Sequence, residues 1–273
     1  MAWVAYRQHG EEHVGIVEGD RYVPLRGIRR IDAETGTDAL RAAEPDEGAA
    51  VSAADVELLP PSWAPQKIFC VGLNYNEHIL ETGRELPAYP VLFPKYASSL
   101  IAADAPIPVP SESSQVDYEA EMVIVIGRAG RRIAREDAMD HVLGYTVAND
   151  VTMRDYQYKT HQWLQGKAWD GVTPVGPCIV PPDEVDLPSC GIRAVVNGET
   201  VQSSDLSHLI FDVPRLISTI SEFTELRPGD LILSGTPGGV GYRRDPQLFL
   251  HPGDSVTIEI DGIGRIDSAV VAE

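Results

Sequence analysis

Residues 116–127 read VDYEAEMVIVIG. The run closes on Val-Ile-Val-Ile before Gly127, and β-branched residues at that density predict a buried strand. Near its start stand Glu119 and Glu121. Side chains two positions apart on a strand point the same way, so the two carboxylates share a face. Ionised side by side they repel, and burial adds to the cost of each charge. A divalent cation resolves both problems, and hard carboxylate oxygens suit Mg2+, Mn2+ or Ca2+. A solvated strand edge with two acids on it is the plain alternative, and the pair alone does not decide.

A third oxygen donor would. GYTVAND, residues 144–150, ends an apolar strand on Asn149 and Asp150. Ligating residues often stand where a strand gives way to a loop, although Asp150 could equally cap the segment that follows. QWLQGKAWDG, residues 162–171, holds Lys167 between Trp163 and Trp169. It is either a cation for a substrate carboxylate or developing enolate, or a snorkelling surface lysine. SGTPGGVG, residues 234–241, follows a strand but lacks both the G-K-[ST] ending and the G-x-G-x-x-G spacing of phosphate loops. Its backbone N–H groups and Thr236 can meet an anion, or it is a tight turn. In NYNEHILE, residues 74–81, His78 and Glu81 are three apart and face each other on a helix. Such a pair is an imidazole base oriented by a carboxylate, or a surface ion pair.

The whole chain, 273 residues with 43% hydrophobic content, suits one large domain and a small accessory lobe. Residues 1–65 read as that N-terminal lobe, built of short strands and closed by the proline-dense LLPPSWAPQK at 58–67; residues 66–273 form the catalytic domain. There, strand-like runs recur between Gly, Pro, Asn and Asp. Asn197-Gly198 in IRAVVNGETVQ predicts a hairpin. Two segments read as helices. One is REDAMDHVL, residues 135–143. The other is FDVPRLISTISEF, residues 211–223, with Asp212 as cap, Pro214 in the first turn and a stripe of Val213, Leu216, Ile217, Ile220 and Phe223. Without a regular βαβ alternation, the class is mixed α+β and β-rich.

A net charge of -19 argues against nucleic acid and anionic membranes as partners. It does not argue against a small anionic substrate, because a local cation inverts the field inside a pocket. Cys70, Cys178 and Cys190 are odd in number, widely spaced and form no C-x-x-C, which argues against a disulfide framework and a zinc knuckle. No signal-peptide pattern and no apolar run of about 18 residues is present, so a soluble cytoplasmic protein is expected.

Taken in order, KIFCVGLNYNEHILE, PVLFPKYASSL, VDYEAEMVIVIG, GYTVANDVTMRD, QWLQGK, PGDLILSGTPGGVG and PGDSVTIEIDGIG closely resemble the fumarylacetoacetate hydrolase family, over about residues 66 to 271. The resemblance implies a C-terminal-type β-roll with few helices, a variable N-terminal lobe and a homodimer. It implies Mg2+ or Mn2+, with Ca2+ as a stand-in in crystals, held by Glu119, Glu121 and Asp150. It assigns Lys167 to catalysis, Arg154, Gln157 and Thr236 to the substrate, and His78 with Glu81 to a short helix that closes as a lid.

The expected reaction is hydrolytic C–C cleavage of an acylpyruvate such as fumarylpyruvate. Glu81 orients His78, His78 activates water, and the products include a pyruvate enolate. The same site supports isomerisation of hydroxymuconate-type dienol diacids or decarboxylation of oxaloacetate, and a catalytically silent relative could bind metal and dicarboxylate alone. The His–Glu pair tilts the reading toward hydrolysis or decarboxylation. The sequence leaves the role of Lys95 open, along with those of Tyr89, Tyr158, His161 and Gln162, which lie near the motifs.

Overall fold

The computed structural model describes residues 1–76 and 86–273. The strand Ala120–Ile126 lies deep in a large sheet, between Val142–Asn149 and Leu231–Leu233, antiparallel to both. Every residue in it is buried. Its two faces enter different cores, as period-two side chains require. Met122, Ile124 and Ile126 join a core shared with a second sheet and a helix, through Ile192, Ile258, Leu216 and Ile220. Val123 and Val125 join the other core, with Ile31, Leu40, Phe93 and Leu231. Glu121 continues this second face.

The large sheet runs from Val51–Ser52 through Arg21–Pro24, Glu11–Glu18, Trp3–Gln8, Thr173–Val180, Val142–Asn149, Ala120–Ile126, Leu231–Leu233 and Ile68–Gly72 to Val91–Lys95. Leu231–Leu233 and Ile68–Gly72 are parallel; most other pairs are antiparallel. The N-terminal strands extend this sheet, since Trp3 pairs with Ile179 and Val4 with Cys178. The second sheet has the order Glu199–Asp205, Gly191–Val196, Ser255–Ile260, Gly264–Ala272, Ile107–Val109. It covers the Met122 face of the first. The result is the expected β-rich, mixed architecture with few helices.

Local signals place the hairpin and the longest described helix. Asn197 and Gly198 take φ of 50° and 85°, the two positive values a two-residue turn of type I′ needs. Helix Val213–Phe223 starts where Asp212 Oδ1 accepts the Arg215 N–H at 2.9 Å, and it buries Val213, Leu216, Ile217 and Ile220. Phe223 ends the stripe exposed, edge-on to Phe69. The other expected helix is instead a 3-10 segment, Arg135–His141. Ala138 is its only buried side chain, and an acidic, short segment with one apolar anchor has too little to bury to hold an α-helix. The cysteines are free. Among the described residues, no helix is long and apolar enough to cross a membrane.

Candidate active site

Glu119 sits one residue before the strand Ala120–Ile126, and Asp150 one residue after Val142–Asn149. These strands pair antiparallel, Ala120 against Asn149, so the start of one abuts the end of the other. Asp150 N–H donates to Glu119 O at 2.9 Å, and Asn149 Oδ1 accepts the Glu119 N–H at 2.9 Å. The local fold thus draws three acids together. One carboxylate oxygen each of Glu119, Glu121 and Asp150 lie within 4.8 Å of one another, and all three residues are buried. Asp150 is not a helix cap: the helix that follows, Arg154–Gln157, has Met153 at its cap position.

Cations surround this cluster unevenly. Lys167 Nζ lies 2.7 Å from Glu119 Oε2 and 2.9 Å from Asp150 Oδ2. Lys95 Nζ lies 2.6 Å from Asp150 Oδ1. Arg154 Nη2 approaches Glu119 Oε1 to 2.7 Å, an attraction of charges without hydrogen-bond geometry. Glu121 has no cation against it among the described residues; its carboxylate accepts the Gly235 N–H at 2.8 Å.

The acidities follow this distribution. Burial, then Asp150 and Glu119, raise the Glu121 pKa well above the carboxylate range. Burial pushes Glu119 the same way, but Lys167 and Arg154 outweigh it and hold that carboxyl low. At Asp150 burial is likewise outweighed, by Lys167 and Lys95. Burial lowers the Lys167 pKa, yet Asp150 and Glu119 carry it above the ordinary lysine value. A hard divalent cation fits the cluster: the donors are all carboxylate oxygens, and among the described residues no cation pairs directly with Glu121.

Lys167 ends the short helix Leu164–Lys167. A Cβ on Gly166 would fall 2.5–2.7 Å from Gln157 Cβ, Cα and N, so glycine lets this helix seat on Arg154–Gln157 and bring Lys167 inward. The lysine is buried and does not snorkel. Arg154 Nη1 donates to Gln157 Oε1 at 2.9 Å and Nε to Asp117 Oδ2 at 2.8 Å. Asp117 also accepts the N–H groups of Tyr118, Gly241 and Tyr242 at 2.8–2.9 Å, which ties Arg154 to the loop after the glycine-rich stretch.

A cavity of about 30 Å³ is lined by Glu119, Glu121, Arg154, Gln157, Lys167 and Thr236 on its polar side and by Val71, Leu73, Phe93 and Trp163 on the other. Phe93, Tyr158 and Trp163 also line an outer groove of about 750 Å³, with His161 and Gln162. Of the residues singled out from sequence, seven meet here: Glu119, Glu121, Asp150, Lys167, Arg154, Gln157 and Thr236. His78 and Glu81 lie outside the described residues. Tyr89 is exposed and lines neither space.

Sequence reasoning missed Asp117 and Gln202 and left Lys95 open. Gln202 Nε2 donates to Thr236 Oγ1 at 2.9 Å. Each of these three acts across a long sequence separation, and the only local hint was a charged or amide side chain inside an apolar run.

Fold and site together define a β-rich enzyme with a buried carboxylate triad and a lysine at the floor of its cleft. Comparison with known proteins gives the same class. The family described as fumarylacetoacetate (FAA) hydrolase C-terminal matches residues 67–271, and the chain belongs to that family. It is 47% identical over 224 residues to the mitochondrial oxaloacetate tautomerase fahd2 of Xenopus laevis, covering 81% of this chain and 70% of that protein. Its structure is similar to 5-carboxymethyl-2-hydroxymuconate delta-isomerase from Mycobacterium smegmatis, with a TM-score of 0.86, 33% identity and 100% of both chains covered. It is also similar to fumarylpyruvate hydrolase from Pseudomonas aeruginosa in complex with Mn2+ and pyruvate, with a TM-score of 0.69 and 36% identity over 76% of this chain and 90% of that one.

Proposed function

We propose that this chain is a divalent-metal-dependent enzyme that moves a proton between the keto and enol forms of a 2-oxo acid, with oxaloacetate the first substrate to test. The observation that carries the reading is the 47% identity to an oxaloacetate tautomerase across 81% of the chain. The acids and cations of the cavity's polar side all fall within residues 67–271, the family match. The isomerase that matches over the full length supports it, since its name too describes proton transfer without C–C cleavage.

Glu119, Glu121 and Asp150 would hold the cation, Mg2+ or Mn2+. When bound, a divalent ion supplies Lewis-acid polarisation of a carbonyl oxygen. Lys167 places a fixed positive charge at the same end of the cavity, where negative charge develops on oxygen as the C3 proton leaves. Arg154 is committed to Asp117, Gln157 and Glu119, so it orients Glu119. Gln157 offers its Oε1 to Arg154, which leaves its amide N–H groups for a substrate oxygen. Thr236 meets a substrate carboxylate. The sequence assigns His78, oriented by Glu81, to the activation of water; in tautomerisation we propose that it takes the C3 proton instead and returns it in the reverse direction. In keto-to-enol conversion the proton leaves carbon and a proton is delivered to oxygen, so no bond between heavy atoms breaks.

The second reading is hydrolysis of an acylpyruvate, which the fumarylpyruvate hydrolase with Mn2+ and pyruvate favours. The test is turnover by metal-loaded protein, with EDTA-treated controls, on oxaloacetate, fumarylpyruvate and a hydroxymuconate-type dienol diacid. Readouts are enol absorbance, CO2 and cleavage products. Accelerated keto–enol exchange of oxaloacetate, lost with EDTA, supports the proposal. Cleavage of fumarylpyruvate without such exchange moves the assignment to hydrolysis, and CO2 release alone moves it to decarboxylation. Metal binding with no turnover on any of the three would make the chain a silent relative.

A further inference from the structure

We propose that Gln202 is a positioning residue that locks Thr236 as a hydrogen-bond donor to the substrate's carboxylate; the inference rests on the reading that this cavity takes a 2-oxo acid. Gln202 lies on the strand Glu199–Asp205 of the second sheet and is buried, so its amide is spent entirely inside the protein. Its Oε1 accepts the Ala120 N–H at 2.9 Å. Its Nε2 donates to Pro237 O at 2.9 Å and to Thr236 Oγ1 at 2.9 Å.

The two backbone partners fix which end of the amide is which. An N–H at Ala120 requires the oxygen, and a carbonyl at Pro237 requires the nitrogen. The flipped amide would set oxygen against oxygen and N–H against N–H. The second Nε2 proton therefore goes to Thr236 Oγ1, which must accept it. A threonine hydroxyl that accepts there keeps one proton to give. Among the described residues nothing takes that proton, and Thr236 lines the cavity beside Glu121 and Lys167. The proton is left for the ligand.

Two consequences follow for recognition. The group that meets Thr236 has to be an acceptor, such as a carboxylate oxygen, and a group that can only donate is refused. Ala120 also stands between Glu119 and Glu121, so one amide spans the acid-bearing strand and the threonine loop and fixes their separation. Gln202 touches no substrate; it acts through Thr236.

The experiment measures binding of oxalate, a dianion with adjacent oxygens like those of a 2-oxo acid, to Mn2+-loaded protein by calorimetry, with Mn2+ affinity and melting temperature followed in parallel. Thr236→Val is expected to weaken oxalate roughly tenfold or more, the loss of a hydrogen bond to a charged group. Thr236→Ser keeps the donor and recovers most of the binding. Gln202→Glu keeps the acceptor for Ala120 but draws the Thr236 proton toward itself, so it should weaken oxalate about as much as Thr236→Val does. Gln202→Met carries no buried charge and serves if the glutamate variant does not fold. Its loss of oxalate affinity should vanish in the Thr236→Val background, because the residue it positions is already gone.

An equal loss from Gln202→Met in both backgrounds, or one that tracks lower Mn2+ affinity and melting temperature, would show a purely structural role and overturn the inference. Wild-type binding of oxalate that Thr236→Val leaves unchanged would overturn it too while the functional reading stands. If the Mn2+-loaded wild type binds neither oxalate nor any 2-oxo acid, the functional reading falls and takes the inference with it.

Discussion

Lys95 and Asp150 form an ion pair inside the protein: Nζ lies 2.6 Å from Oδ1, and both side chains are wholly buried. The other Asp150 oxygen receives Lys167 at 2.9 Å, so a single carboxylate answers two ammonium groups. Lys95 is absent from the cavity lining, and its work is to hold Asp150. Removing one partner of a buried pair strands the other charge, at a cost of about 3–5 kcal/mol. Lys167 remains beside Asp150, which places the expected loss for Lys95→Met at the lower end, about 3 kcal/mol of unfolding free energy in urea. A loss below about 1 kcal/mol, the scale of a surface pair, would show that Lys167 alone satisfies Asp150.

Asp150 and Glu121 belong to one cluster but should respond in opposite ways to neutralisation. Asp150→Asn strips charge from a group that two lysines depend on, and should destabilise EDTA-treated protein by about 3–5 kcal/mol. Glu121→Gln replaces a buried carboxyl that keeps its proton without a bound ion and has no ion-pair partner among the described residues, and it keeps an oxygen for the Gly235 N–H, so the EDTA-treated protein should be as stable as wild type or more so. Both variants should lose Mn2+ binding. Thermal unfolding with EDTA and with Mn2+ separates the two effects. Equal destabilisation by both would contradict the uneven charge balance described for the site.

Much of the site was legible because its signals are local. Strand parity put Glu119 and Glu121 on one face, and the end of an apolar run marked Asp150. The ordered motifs then supplied Lys167, Thr236, Arg154 and Gln157 through family resemblance. What stayed hidden depends on distant pairing. Lys95 meets Asp150 across 55 positions, and Gln202 meets Ala120 across 82. No spacing rule connects residues that far apart; the strand order of the large sheet brings Lys95 to Asp150, and the packing of the second sheet on the first brings Gln202 to Ala120. The fold divides the same way. Asn197-Gly198 and the Asp212 cap obey rules that act within a few residues. The neighbourhood of Leu231–Leu233 and Ile68–Gly72, by contrast, is set by which buried faces fit together. Arg135–His141 was misread as an α-helix because its composition suits one, while its single buried anchor does not.

Gly166 offers a steric test of how Lys167 is delivered. A methyl group there would meet the Gln157 backbone, which cannot move without shifting Arg154. Gly166→Ala should cost about 1–3 kcal/mol in stability, as overpacking does. It should cost more in function, because Lys167 and Gln157 separate by a few tenths of an ångström or more, and small misplacements at a reacting site lower the rate by orders of magnitude. A fall in kcat of about a hundredfold in folded, Mn2+-binding protein is expected. Unchanged kcat would mean that the two short helices can part without disturbing the lysine.

The acidity of Glu121 couples metal uptake to pH. Burial, then Asp150 and Glu119, raise its pKa, so without a cation it keeps its proton at pH values where ordinary carboxylates have lost theirs. A cation takes the carboxylate, not the acid, so uptake expels that proton. Glu119 and Asp150 are held low by their lysine and arginine partners and are already ionised there, so they release none. Below the folded pKa of Glu121, affinity for Mn2+ should climb about tenfold per pH unit, and the climb should flatten above it. Stability without a cation carries the same signs. The Glu121 contribution is present below its unfolded pKa and is lost as pH rises through its raised folded pKa. Those of Glu119 and Asp150 are present above their unfolded values and are lost as pH falls through their lowered ones. Calorimetric titration with Mn2+ in two buffers of different ionisation enthalpy counts the protons directly. About one proton per ion is expected for wild type. A count of zero with an affinity that ignores pH would place Glu121 among ordinary ionised ligands and remove the uneven charge balance as the reason this cluster calls for a cation.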